Sequence, residues 1–207
     1  MAERSPSAAS PVSADDVEEA VGLAVAALQV GTGRDWRQVA GTLTWDCWHT
    51  GEHIASDLIA YAGQLGARAQ TGYVPFDIAV DRDADPAGLL DVIEATGAML
   101  AAVVRTTPAT VRAWHPFGLA DPEGFAAMGI VETVVHTHDI ATGLDLAWAP
   151  PPSLCAKTVA RLFPTAPDEG DPWQVLLWAT GRIELPGRGR LVGWRWQAEP
   201  LGSAARR

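Results

Sequence analysis

The chain has few features that would direct it into a membrane or out of the cell. Its longest wholly apolar run, AMLAAVV at residues 98–104, is far shorter than the ~20 residues that a membrane-spanning helix needs. The first residues, MAERSPSAASPVS, have none of the apolar central stretch that secretory signals carry. We therefore expect a cytoplasmic protein.

Cysteine and basic residues are also scarce. Two cysteines cannot form a disulfide framework, which favours a reducing compartment. The 25 acidic residues outnumber the 15 basic ones, which gives a formal net charge of −10. Such a surface repels phosphate backbones and anionic lipid headgroups. We expect a small-molecule substrate, no nucleic-acid or membrane partner, and a monomer or homodimer.

Length and composition indicate one domain. The 207 residues are 48% hydrophobic, enough for a proper core but short for two domains. Residues 1–13 are polar and are expected to be a disordered tail. The domain is expected over residues 14–200, with a main body at about 14–146 and a C-terminal extension at about 150–198.

Capping residues and apolar periodicity predict a mainly α-helical chain. Ser13 is an N-cap candidate, and the three Asp-Pro pairs at 85–86, 121–122 and 171–172 each place proline at the first position of a helix. After the PPP at 150–152 a short helix is expected, then another from DPWQVLLWATGR, and LVGWRWQAE alternates like a strand. The four long helices, joined as a helical bundle, are expected at about 14–30, 47–69, 86–104 and 122–144.

One polar stripe stands out in the fourth long helix. In VETVVHTHDIATGLD, residues 131–145, Glu132 and His136 are one helical turn apart, and Asp139 falls on the same side. His138 points elsewhere and is expected to be dispensable. A carboxylate and an imidazole at this spacing can bind a divalent metal ion, although a helix side that merely faces water would show the same spacing.

A second polar stripe lies in the second long helix. In WDCWHTGEHIASD, residues 45–57, His49 and His53 are one turn apart, and Asp57 is one turn further. Facing helices of a bundle build metal sites from inward side chains. His53, Glu132 and His136 would supply two imidazoles and one carboxylate with coordination positions left open. His49 and Asp139 are then expected to orient the ligands or to face the substrate.

An alternative uses the same segment differently. HTGEH, residues 49–53, formally matches the His-x-x-Glu-His signature of inverted zinc peptidases. In that interpretation His49 and His53 bind zinc, Glu52 is the base and Glu132 is a third ligand. Those enzymes need a mixed domain of sheet and helix, whereas few strands are predicted before residue 180.

Two further side chains have two interpretations each. Cys47 is a reactive thiol or a buried inert residue, and it is off the side of the helix that carries His53. His115, in AWHPFGLADPEG, lines the mouth of a cleft or belongs to a turn.

Three segments together span most of residues 14–197 and carry a family likeness: LTWDCWHTGEHIASDL, HPFGLADPEGFAAMGIVETVVHTHDIATGL and LLWATGR. In them the chain resembles the DinB-like superfamily, specifically its mycothiol-dependent maleylpyruvate isomerase branch. The resemblance implies a four-helix bundle of up-up-down-down topology. It also implies a metal site with one histidine from the second helix and two ligands from the fourth, at the positions of His53, Glu132 and His136.

The resemblance also implies a chemistry. Such proteins usually hold zinc, with Ni²⁺ or Fe²⁺ as alternatives, and several use a low-molecular-weight thiol as cosubstrate. Arg182, in the ATGR segment, and Arg112 are candidates for binding an anionic substrate, and a helix-capping role is the alternative for Arg182. The maleylpyruvate isomerases carry a full second domain for their diacid substrate, and here only a short segment follows the bundle.

The expected function is therefore a metal-dependent transferase or isomerase that uses a mycothiol-type thiol. A free thiol has a pKa of about 8.5, and binding to a divalent cation removes its proton. A hydrolase is the first alternative, because zinc lowers the pKa of a bound water to about 7. A non-catalytic module that binds a metal or ligand is the second.

Overall fold

The computed structural model describes residues 10–202 and is mainly helical. Its six helices are α1 (Ala14–Gln29), α2 (Cys47–Ala67), α3 (Pro86–Thr106), α4 (Pro122–Gly143), α5 (Pro152–Leu162) and α6 (Pro172–Ala179). The one sheet of the described residues is a hairpin of β1 (Ala113–His115) and β2 (Gly118–Ala120). The prediction of a mainly helical chain is confirmed.

The helix starts follow from side-chain caps. The Ser13 hydroxyl accepts the Asp16 backbone N–H, and the Asp16 carboxylate accepts the Ser13 N–H in return, which is a capping box. Asp85 and Asp121 each accept the backbone N–H three residues on, and the proline after each needs no hydrogen-bond partner. The cap and the proline together set where α3 and α4 begin.

The four long helices pack on one another around a common core. Helices α1 and α2 each contact both α3 and α4, and α4 also contacts α3, α5 and β2. Helix α4 is buried on nearly all sides from Pro122 to Ala141, as a central helix must be. Polar residues on such a helix are costly to bury without partners, which makes its three inward acidic and imidazole side chains notable.

Helix α3 has the length and hydropathy of a membrane-spanning helix. It has 21 residues, and the mean hydropathy of its most apolar window is 1.7. In the structure it packs against α1 and α2 through buried residues that include Leu89, Ile93 and Leu100. A core helix passes the same test of length and composition, so the test does not identify α3 as a membrane span.

The prediction of a strand in the C-terminal extension is wrong. Residues 191–199 form no strand, although their side chains do alternate between buried and more exposed, with Trp196 and Ala198 buried. The segment is extended because α5 binds its backbone: Arg161 donates to the carbonyls of Gln197 and Ala198, and the Gln197 N–H bonds to the Leu162 carbonyl. Period-two burial here reflects packing on a helix.

The β-hairpin between α3 and α4, in which Trp114 pairs with Leu119, is not predicted by the sequence pattern. The N-terminal tail is described in part. Of the tail expected over 1–13, residues 1–9 lie outside the described residues. Val12 is buried, and its N–H bonds to the Glu123 carboxylate.

Candidate metal centre

Three side chains from two helices converge at one point. His53 comes from α2, and Glu132 and His136 come from α4. Nε2 of His136 lies 3.1 Å from Oε2 of Glu132, and Nε2 of His53 lies 3.7 Å from the same oxygen. One ligand atom from each residue lies within 4.8 Å of the other two. The structure thus brings together the three residues that the spacing selected.

These separations suit a divalent ion. Zinc binds imidazole nitrogen and carboxylate oxygen at about 2.0–2.2 Å, so two ligand atoms on one ion are about 3.0–3.5 Å apart. The observed separation of 3.1 Å lies within this range, and that of 3.7 Å lies slightly above it. Two imidazoles and one carboxylate form a donor set suited to zinc, ferrous iron or nickel. The residues present therefore fit the metal that the sequence predicts.

The surroundings favour the protonation states in which Glu132 and His53 can bind a metal ion. Burial alone would raise the pKa of Glu132, but the hydrogen bond to His136 and the charges of His136, His53 and Arg182 lower it below its usual value. Burial lowers the pKa of His53. An ionised carboxylate and a neutral imidazole are the forms that bind metal.

Asp139 supports the third ligand, His136, from the side of the ring opposite to Glu132. The Nδ1–H of His136 donates to Oδ2 of Asp139 at 3.0 Å, which leaves Nε2 of the ring on the side of Glu132. Burial alone would lower the pKa of His136, but the hydrogen bonds to Asp139 and Glu132 raise it to about 9. A carboxylate behind a ligating histidine fixes its tautomer and raises its basicity.

Arg182 joins the site through the same carboxylate. Its Nη2 donates to Oδ2 of Asp139 at 2.8 Å, and its Nη1 donates to the Thr180 carbonyl at 2.9 Å. Burial alone would raise the pKa of Asp139, but the hydrogen bonds from His136 and Arg182 lower it. The C-terminal extension therefore reaches the ligands through one ion pair. Arg182 also binds the carbonyl of Thr180, the C-cap of α6, in agreement with the capping interpretation, whereas its binding of an anionic substrate stays a prediction.

Asp57 is a site residue to which sequence reasoning gave no role. Its Oδ2 lies 3.2 Å from Nε2 of His53, the atom that faces Glu132. Burial and the Glu132 carboxylate raise the pKa of Asp57 to about 8. The signal was its position one turn after His53, which places both on the inward side of α2.

The ligands form one side of a cleft of about 360 Å³. The side chain of Glu132 is 11% exposed and that of His136 is 10% exposed, whereas that of His53 is 31% exposed and opens to solvent. The other lining residues are Leu43, Thr44, Trp45, Val131, Val135, Arg182 and Trp194. A small molecule can therefore reach the ligands from one side.

Several predicted candidates lie away from this cluster. The exposed side chain of His49 lies in the first turn of α2, where its Nδ1 donates to Oδ1 of Asp46 at 2.7 Å. His138 packs edge-on against Trp173 with ring centroids 5.7 Å apart. Arg112 donates to the carbonyls of Ala109 and Val111.

For His115 the structure supports the role in a turn, and for Cys47 it supports the buried, inert residue. Nδ1 of His115 accepts the Phe117 N–H at 3.1 Å inside the β-hairpin, and burial lowers the pKa of His115 to about 4. Cys47 is buried, and burial raises the pKa of its thiol to about 11. The inverted-peptidase interpretation gains no support, because His49 is not part of the cluster.

Comparison with protein-family models, with curated proteins and with solved structures gave no match to this chain.

Proposed function

We propose that the protein binds one divalent metal ion, with zinc favoured, through His53, Glu132 and His136, and that it is an enzyme acting on a small molecule. The observation that carries this proposal is the convergence of the three ligand atoms within 4.8 Å of one another at the side of an open cleft. A structural metal site is closed by protein ligands, whereas a catalytic one keeps a position open.

The proposed architecture is a DinB-like four-helix bundle of up-up-down-down topology. In support of it, α1 and α2 each pack against both α3 and α4. The extension after the bundle supplies Arg182 and Trp194 to the cleft, so the proposed site does not depend on the bundle alone.

The proposed reaction is a transfer or isomerisation that uses a low-molecular-weight thiol of the mycothiol type. A divalent ion held by these residues supplies the charge that lowers the pKa of such a thiol at neutral pH. The thiol must come from a cosubstrate, because burial raises the pKa of Cys47 to about 11 and that of Cys155 to about 12. Both cysteines are buried, and neither lines the cleft.

The chain's own residues have distinct parts in this proposal. Asp139 holds His136 in the tautomer that leaves Nε2, on the side of Glu132, free to bind a metal ion. Arg182 is placed by Asp139 at the cleft wall, where its positive charge favours an anionic group on the substrate. The apolar residues Val131 and Val135 exclude water from the floor.

A metal-dependent hydrolysis is the second candidate. Asp57 favours it, because its carboxyl group lies beside His53 with its side chain 22% exposed and, with a pKa raised to about 8, can exchange a proton with a water molecule near neutral pH.

We further propose that the protein is located in the cytoplasm as a monomer or homodimer and has no nucleic-acid or membrane partner. This part of the proposal rests on the net charge of −10 and the scarcity of cysteine.

The test incubates metal-loaded protein with a panel of electrophiles, with and without mycothiol or glutathione. The proposal expects turnover that requires both the metal and a thiol and that is lost in His53→Ala. Turnover that needs the metal but no thiol would support hydrolysis instead. Full metal loading without turnover or thiol binding would show a non-catalytic module.

A further inference from the structure

The cleft has two aromatic walls from distant parts of the chain. Leu43, Thr44 and Trp45 come from the loop between α1 and α2, and Trp194 comes from the extended C-terminal segment. The apolar lining side chains are all large or branched: Leu43, Trp45, Val131, Val135 and Trp194. Among the residues that the structure describes, Arg182 is the one charged lining residue besides the metal ligands. Each wall thus offers one planar indole ring, and the fixed positive charge of the lining lies at Arg182.

Trp45 remains open to solvent although it lines the cleft. It is 46% exposed, and its ring meets that of His53 edge-on with centroids 4.9 Å apart. A large apolar side chain that stays exposed at the rim of a cleft is typical of a ligand-binding surface. Its contact with His53 places it directly beside the proposed ion.

Trp194 is held rigidly on the other wall. Its ring packs on Trp196 at 5.5 Å and on Phe163 at 6.3 Å. Gly181 makes room for it: Gly181 has a φ of +70°, and a Cβ there would lie 3.1 Å from Cδ1 of Trp194. The turn that presents Arg182 and the ring of Trp194 are thus packed together as one unit.

Arg190 ties the two walls to each other. Its Nη2 donates to Oγ1 of Thr42 at 3.1 Å, in the loop that carries Trp45, and its Nε donates to the Gly181 carbonyl. The first wall is also seated on α4, because Gly41 has a φ of +52° and a Cβ there would lie 3.3 Å from Cα of Asp139. The two walls are therefore linked to each other and to α4 without a ligand.

Arg182 keeps donors for a ligand. A guanidinium has five N–H groups, and among the described residues Nε and one Nη2 hydrogen serve Asp139 while one Nη1 hydrogen serves Thr180. One N–H on each terminal nitrogen is left, and this pair matches the two oxygens of a carboxylate.

We propose that the cleft selects a small, flat, apolar compound that carries one carboxylate, such as an aromatic acid, with its ring against Trp45 and Trp194 and its carboxylate on Arg182. The volume of about 360 Å³ is at the low end for ligand sites, which limits the ligand to a small one. This assignment rests on the proposed function only in that the metal ligands line the same cleft.

The test is isothermal titration calorimetry with benzoate, cyclohexanecarboxylate, acetate and benzyl alcohol as probes. We expect benzoate to bind at least ~10-fold tighter than acetate or benzyl alcohol, with cyclohexanecarboxylate between, because aromatic contacts and the carboxylate each contribute. Trp194→Leu and Trp45→Leu should each weaken benzoate binding ~10-fold and leave acetate binding unchanged, and Trp194→Phe should recover most of the loss. Trp48→Leu, a half-buried tryptophan outside this cleft, is the matched control.

The titrations are made on metal-loaded and on metal-free protein, so that a failure of the proposed function can be told from a failure of the proposed ligand preference. Benzoate selectivity in metal-free protein, with no metal ever bound, would overturn the proposed function and leave this inference standing. Equal affinity for benzoate and acetate in both forms would overturn the inference, as would equal effects of Trp194→Leu, Trp45→Leu and Trp48→Leu.

Discussion

The carboxylate of Asp139 accepts the Nδ1–H of His136 at 3.0 Å, on the side of the ring opposite to Glu132. The same carboxylate accepts a hydrogen bond from Nη2 of Arg182 at 2.8 Å, and the side chain of Asp139 is 2% exposed. One buried residue therefore orients a proposed metal ligand and also anchors the C-terminal extension.

Asp139→Asn should weaken metal binding about 10- to 100-fold, because the substitution removes the charge that fixes the His136 tautomer and raises its basicity. Competition with a chromophoric chelator measures the affinity. Asp91→Asn, on the exposed side of α3, is the control and should bind metal like the unmodified protein. Equal affinities of the two variants would show that the hydrogen bond to His136 does not support the site.

His49→Ala should keep the bound metal, because His49 is exposed and bonded to Asp46. The loss of that exposed hydrogen bond should cost about 1 kcal/mol of unfolding free energy or less. Metal analysis of His49→Ala and His53→Ala side by side makes the comparison. Loss of metal from His49→Ala together with retention in His53→Ala would favour the inverted-peptidase arrangement.

His115 should make the protein less stable as the pH falls. The pKa of His115 is about 4 in the folded chain, against an ordinary value of about 6.5, so between these pH values the unfolded chain binds a proton that the folded chain does not. The unfolding free energy should therefore drop by about 2–3 kcal/mol between pH 7 and pH 4.5 on account of this residue.

Urea unfolding at both pH values, on the unmodified protein and on His115→Gln, isolates this effect. Other groups titrate alike in both proteins, so the variant should lose less stability on acidification by that amount. Parallel losses in the two proteins would mean that the buried ring of His115 accepts a proton without cost.

Arg161→Met should lower the unfolding free energy by about 3–5 kcal/mol, since it breaks a buried ion pair with Asp121 and removes the donors to the C-terminal backbone. The Arg161 side chain is 2% exposed. Lys157→Met, which breaks the more exposed pair with Asp16, should cost much less. Thermal and urea unfolding of both variants would reveal whether the extension depends on Arg161.

Local rules were enough to predict the helices and the proximity of Glu132 and His136. The Asp-Pro pairs at 85–86 and 121–122 specify a cap and a first turn, and both helices begin there. Glu132, His136 and Asp139 lie on one side of α4 because helical periodicity leaves no other arrangement. Tertiary packing decides which residue of α2 faces them, and local rules do not predict that residue.

The errors come from that same limit. His49 and His53 share a side of α2, but at His49, in the first turn, that side is exposed to solvent, and spacing does not reveal this exposure. The alternation at 191–199 is a true burial pattern, yet the backbone partners are Arg161 and Leu162 of a helix region instead of a strand. Strands of three residues, such as β1, are too short for any periodicity to detect.

Metal analysis of protein purified without a histidine tag, with His53→Ala, Glu132→Ala and His136→Ala measured alongside, shows whether these three residues bind a metal ion. We expect one divalent ion per chain in the unmodified protein and a sharp loss in each variant. Circular dichroism should show that the three variants keep their helical content. Stoichiometric metal in all three variants, or none in the unmodified protein after exposure to zinc, would rule out the proposed metal site.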